Sequence, residues 1–190
     1  MTSSEVKELL PEMDIFCQLL VLLFLFDSKQ IVKGLELSII TISCLNKYNR
    51  RSLDALGGRV VFYYARFHEL SGKIHDIRGA LLGIQRKATL RHDEQTQATV
   101  LNLLLKSFID ENLYDQADKL ISKSNFPESA DNNQSARYMY YQGRIKAVQL
   151  EYTASHQFLM QAVRKAPQTT ATAGFQQIVS LSCYSCAVVW

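Results

Sequence analysis

At 190 residues the chain suits one domain or one elongated array, and it is long enough to bury a core. Hydrophobic residues make up 47% of it and charged residues 21%, and a net charge of +3 gives no electrostatic footprint for nucleic acid. Three prolines and eight glycines are too few for a turn-rich β fold, so the class is all-α.

The first element is the apolar run "IFCQLLVLLFLF" from Ile15 to Phe26, broken only by Gln18. Its 12 residues fall short of the roughly 20 that a spanning helix needs. Its acidic lead, "MTSSEVKELLPEMD", is unlike a secretory signal. Glu12 and Asp14 sit where a helix N-terminus favours negative charge, so the run reads as the first buried helix of a soluble protein.

Further along, short polar breaks recur. "FDSKQ" at 26–30, "LSGKI" at 70–74, "ENLYD" at 111–115 and "LEYTA" at 150–154 read as turns between paired helices. Longer polar stretches read as connectors from one pair to the next: "NKYNRRS" at 46–52, "RKATLRHDEQTQ" at 86–97 and "SNFPESADNNQS" at 124–135. The Gly57-Gly58 pair is expected to loosen the start of a helix beginning near Arg59. Val100, Leu101, Leu103, Leu104, Leu105 and Phe108 form a broad stripe at helical spacing.

The pairs repeat. A small or apolar contact position in each first helix, at Leu22, Ala65, Leu105 and Gly143, recurs at steps of 43, 40 and 38 residues. Those steps exceed the roughly 34 residues of a tetratricopeptide repeat. An amphipathic pair cannot bury both faces alone, so neighbours must stack. The expected fold is a right-handed α-solenoid of about four tetratricopeptide-like helical hairpins. Its pairs lie near 11–47, 53–87, 97–124 and 135–167, with an N-terminal tail at 1–10 and a divergent, poorly packed tail at 169–190. In the last pair Gly143 should admit its partner helix closely, with the small Ser155 twelve residues on. Leu159 and Ala162 then follow on the packing face, and Pro167 stops the second helix. Gln142 and Lys146 stand where the tetratricopeptide pattern places Leu and an aromatic.

Nothing in the sequence assembles a catalytic, metal or cofactor site. His92 and Asp93 are adjacent, and adjacent helical residues do not face each other. No G-x-S-x-G, H-E-x-x-H or phosphate-cradling glycine pattern is present. The lone C-x-x-C of Cys183 and Cys186 lacks a second ligand pair and reads as incidental. Basic and aromatic residues cluster at Arg50, Arg51 and Arg59 with Tyr48, Tyr63 and Tyr64, and again at Arg137, Arg144 and Lys146 with Tyr138, Tyr140 and Tyr141. Such clusters can grip a nucleic-acid strand, but Arg and Tyr are also enriched at protein interfaces, and the small net charge favours the second reading. The candidate contact residues are Arg91, His92, Tyr114, Arg137 and Arg144.

The stretches "LRHD", "LNLLLK", "LYDQADKL", "RYMYYQGRIKAVQLEY" and "RKAP", with the looser "NRRSLDAL", are long and non-repetitive. Over about Leu10 to Phe175 they closely resemble the family of non-ATPase regulatory subunit three of the proteasome lid, which are PCI-domain proteins. The resemblance implies a non-catalytic scaffold in the cytoplasm and nucleus, supporting ubiquitin-dependent degradation through contacts with other lid subunits. It implies no cofactor, small-molecule ligand, membrane or direct nucleic-acid partner. A scaffold of another PCI complex, such as the signalosome or translation initiation, is the alternative, with an RNA-binding helical repeat behind it. In that family further repeats and a winged helix follow, whereas this sequence runs into "SLSCYSCAVVW" after Val179. The expectation is a chain truncated before the winged helix, with an exposed last repeat and marginal stability on its own.

Overall fold

The computed structural model describes residues 10–48 and 50–166. Among these, eight α-helices follow one another: α1 (Pro11–Asp27), α2 (Ile31–Lys47), α3 (Asp54–Leu70), α4 (Ile74–Arg91), α5 (Glu94–Asp110), α6 (Tyr114–Lys123), α7 (Asn132–Val148) and α8 (Tyr152–Lys165). A 3-10 turn over Arg51–Leu53 leads into α3. The all-α helical-repeat class expected from the sequence is what the chain adopts. Two compact units, 1–77 and 78–190, divide it inside α4.

The repeat is more regular than its residue steps suggest. The first helices α1, α3, α5 and α7 are each 17 residues long, and Leu22, Ala65, Leu105 and Gly143 are each the twelfth residue of theirs. All four are buried. Each pair closes over a three-residue turn, so the variation from 43 to 38 lies in the second helices and the connectors. The second helices range from 10 to 18 residues.

One hydrogen-bond pattern builds all four of these turns. The middle residue takes a left-handed backbone: Lys29 (φ 58), Gly72 (φ 72), Asn112 (φ 60) and Leu150 (φ 65). Its amide and the next one bond back to the departing helix, as in Asn112 N to Ile109 O at 3.0 Å and Leu113 N to Phe108 O at 2.8 Å. This two-bond closure satisfies carbonyls that a helix end otherwise leaves open. The following residue then starts the next helix, as Leu113 does by accepting from Ala117 N at 3.1 Å.

Three readings of the sequence need correction. The polar stretch 86–97 is not a long connector: α4 continues to Arg91 and α5 starts at Glu94. His92 (φ 55) turns the chain there with the same two-bond closure, and Asp93 caps α5 by accepting from Thr96 N at 3.1 Å. Gly57 and Gly58 lie buried within α3, which begins at Asp54. And α1 is not a wholly buried helix. Ile15, Leu19 and Leu22 are buried, but Met13, Phe16, Leu20, Val21 and Phe24 are 42–68% exposed. Pro167 and the tails at 1–9 and 167–190, with Cys183 and Cys186, lie outside the described residues.

In the first unit, Ile15, Leu19, Leu53 and Val60 form a core cluster, with Ile42, Leu45 and Tyr63 packed against it. Gly34 of α2 lets the Phe67 ring of α3 sit directly over the backbone, where a Cβ would stand 2.5 Å from Phe67 Cζ. Phe26 meets Phe67 and Tyr63 edge to face, with centroids 6.0 and 5.8 Å apart. In the second unit the α5 stripe is buried almost all round, from Thr96 to Ile109. Tyr140, Leu159 and Ala162 form the cluster that joins α7 to α8.

Candidate protein-binding surface

The side chains of the second unit are held by polar contacts between helices. Arg78 of α4 donates from Nε to Ser107 Oγ at 2.7 Å and from Nη2 to Ser107 O at 3.1 Å. It also pairs with Glu111 and lies 5.2 Å over the Phe108 ring. Its side chain is only 17% exposed, so this is a largely desolvated ion pair in which each hydrogen bond counts. Asn102 Nδ2 of α5 donates to Gln134 O at 2.9 Å and Gln134 Oε1 at 2.8 Å, tying α5 to the start of α7. Lys146, where an aromatic was expected, donates to Gln149 Oε1 at 2.9 Å and Glu151 Oε1 at 3.2 Å. It also lies 4.0 Å from Asp118 of α6, so the departure places a cation where α6, α7 and the last turn meet.

The last pair closes as its spacing suggests. Gly143 has Leu159 against it, so near that a Cβ would stand 2.8 Å from Leu159 Cγ. Ser155 Oγ donates to Gly143 O at 2.8 Å in a buried contact. Tyr138 and Tyr140 are both buried, with Tyr138 stacked on Phe126 at 4.3 Å. Burial raises the Tyr138 phenol above its ordinary range, so it is a neutral core group.

The five candidate contact residues fall in three places of the second unit. Arg91 is the half-buried last residue of α4, and His92 beside it is the exposed left-handed turn residue. Tyr114 opens α6, half-buried, and its hydroxyl donates to Asn112 Oδ1 at 3.1 Å. Arg137 and Arg144 stand seven residues apart on α7, one exposed and one half-buried, with Arg144 6.0 Å over the Tyr140 ring. The α4–α5 turn and Tyr114 lie at opposite ends of α5, about 25 Å apart along a helix of its length. The turn at His92 and Tyr114 therefore offer separate contact points.

Other polar and titratable residues have structural work instead. Asp93 is committed to capping α5 and does not orient His92. His68 is buried, and its Nδ1 lies 2.9 Å from Tyr64 O, a contact that needs the proton on Nδ1. Arg50 pairs with Glu12 at 3.2 Å. Among the described residues, no helix is long and apolar enough to cross a membrane. The run of exposed apolar residues on α1 was missed in the sequence. Its signal was there: an apolar run with almost no polar gap is wider than a one-sided helix needs.

A family model described as "PSMD3-like, N-terminal TPR repeats" matches residues 1–188, beyond the 10–175 over which the resemblance was legible. A 26S proteasome non-ATPase regulatory subunit 3 of Dictyostelium discoideum is 45% identical over 177 residues, 93% of this chain and 35% of that protein. A probable 26S proteasome non-ATPase regulatory subunit 3 of Nicotiana tabacum is 48% identical over 171 residues, 90% of this chain and 35% of that one. A probable 26S proteasome regulatory subunit rpn3 of Schizosaccharomyces pombe is 43% identical over 178 residues, 94% and 36% of the two chains. The chain thus spans about a third of the length of these curated relatives. With a match along nearly all of its own length, the chain belongs to the PSMD3-like family, in its N-terminal TPR-repeat region.

Proposed function

We propose that the chain is a non-catalytic scaffold arm of the proteasome regulatory particle. It acts in the cytoplasm and nucleus through contacts with other lid subunits, supporting ubiquitin-dependent protein degradation. The observation that carries this is identity of 43–48% along at least 90% of the chain to proteins named as 26S proteasome regulatory subunits. Residues 11–168 form the arm. Its repeat positions Leu22, Ala65, Leu105, Gly143, Leu159 and Ala162 serve stacking, and Arg91, His92, Tyr114, Arg137 and Arg144 serve contact. Stacked hairpins present rigid surfaces, which suits a role of holding neighbours in place.

The test is affinity purification of the tagged chain from cells, with quantitative mass spectrometry of what comes with it. Lid subunits in stoichiometric amounts are expected. Recovery of chaperones alone would overturn the reading. Replacing Arg137 and Arg144 together by Ala should then lower recovery of a lid neighbour while leaving helicity unchanged.

A further inference from the structure

We propose that the exposed face of α1 is a docking surface for one amphipathic α-helix of a partner, with basic residues at the ends of its apolar stripe. The inference stands on this face alone and does not depend on which assembly the chain joins. Leu10, Met13, Phe16, Leu20, Val21 and Phe24 are all exposed, and exposed apolar surface this continuous marks an interaction site. At 100° per residue these positions share one side of α1, opposite the buried Ile15, Leu19 and Leu22. Leu10 to Phe24 covers about 21 Å at the helical rise, four turns of a facing helix. The 3-and-4 spacing of Met13, Phe16, Leu20 and Phe24 is that of a ridge that packs into the groove of another helix.

Charge selects among occupants. No charged residue interrupts α1 between Asp14 and Asp27. Asp27 is exposed and continues the apolar face, seven residues after Leu20; Asp14, half-buried and accepting from Gln18 Nε2 at 3.1 Å through Oδ1, flanks the face seven residues before Val21. The last turn of α1 holds no basic residue, so its negative dipole end adds to Asp27; the nearest cation in sequence, Lys29, belongs to the turn beyond. Glu12 is already engaged by Arg50 and Ser52. A second copy of α1 fits badly. Antiparallel pairing would set Asp27 against Leu10 and Met13 of the other copy, and parallel pairing would set it against another Asp27. A helix with Lys or Arg at both ends meets the two carboxylates and keeps Phe16, Leu20, Val21 and Phe24 between them.

The experiment uses the full chain and two fluorescein-labelled designed helices of about fifteen residues, matched to the length of the face. Both carry the same Leu stripe; one has Lys at both ends and the other Glu. Anisotropy titration should show the Lys-ended helix binding about tenfold more tightly. Replacing Asp14 and Asp27 together by Lys should transfer the preference to the Glu-ended helix. Leu20→Glu should abolish binding of both, with the circular dichroism unchanged because Leu20 is already half exposed. Equal binding of the two helices, binding that survives Leu20→Glu, or failure of both to bind would overturn the proposal. So would sedimentation of the chain as a dimer that Leu20→Glu dissociates.

Discussion

The two compact units solve the same problem, joining 17-residue helices to their neighbours, with different chemistry. The first unit joins α2 to α3 by laying an aromatic ring over a bare backbone, Phe67 over Gly34, and bracing it edge to face with Phe26. The second unit joins its helices with directed polar contacts: Arg78 to Ser107 and Glu111, Asn102 to Gln134, and Ser155 to Gly143. An apolar joint is governed by shape and fails through volume. A polar joint in a dry setting is governed by pairing and fails when one partner is left.

The largest effect should come from the polar side. Arg78→Ala removes a mostly buried cation from beside Glu111 along with two hydrogen bonds to Ser107, and should cost about 3 kcal/mol. Urea denaturation of purified protein reads this as a lowered midpoint. A change near zero would mean that the ion pair holds nothing together. The apolar joint should break next. Gly34→Ala drives a methyl into the Phe67 ring and should cost about 2 kcal/mol, after crediting alanine's better helix propensity. Phe67→Leu in the same chain should recover part of the loss, because the smaller side chain makes room. A double-mutant cycle with no coupling would show that the two residues do not share the joint.

Much of this was legible in the sequence, and the reasons differ by residue. Leu22, Ala65, Leu105 and Gly143 could be aligned because periodic burial leaves a pattern that needs no partner to be seen. Gly143 with Ser155 was legible because both halves of the contact sit in one hairpin, twelve residues apart. Gly34 with Phe67 was not, since it spans two hairpins and nothing in "IVKGLE" points to a ring 33 residues away. The stretch 86–97 misled for a related reason. Its polar composition reads as loop, yet Ala88 is buried and Asp93 has the cap position, so three hydrogen bonds at a two-residue turn replace a connector. On α1, apolar composition was read as burial, although composition does not say whether a partner covers the face.

Smaller effects separate closure of the last hairpin from closure of its turn. Ser155→Ala removes the buried hydroxyl bond to Gly143 O and should cost about 1 kcal/mol, read as a lower Tm. Leu150→Gly should act in the opposite sense. Leu150 holds a left-handed backbone that disfavours a branched side chain, and it is 70% exposed, so little packing is lost. A stabilisation of about 1 kcal/mol is expected. Gly72→Ala is the mirror test in the first unit: a Cβ there meets nothing within 4 Å, so any loss of stability reports its backbone conformation alone.

The smallest effect belongs to the surface of the first unit, where a polar tie across the α1 N-terminus is exposed. Ser52 Oγ donates to Glu12 Oε1 at 2.7 Å and Arg50 lies 3.2 Å away. The Ser52 hydrogen bond, then the backbone and Arg50, hold the Glu12 carboxyl below the ordinary carboxylate range. A carboxyl whose folded value is depressed stabilises the fold above its unfolded value, and that contribution fades as the pH falls through the folded value. Glu12→Gln should therefore lower Tm slightly at neutral pH and not at all in acid, so the curves for the two proteins converge on acidification. Added salt should shrink the neutral-pH gap, because the pair is open to solvent. A gap of constant size from neutral to acid pH would show that Glu12 acts through packing and not through its charge.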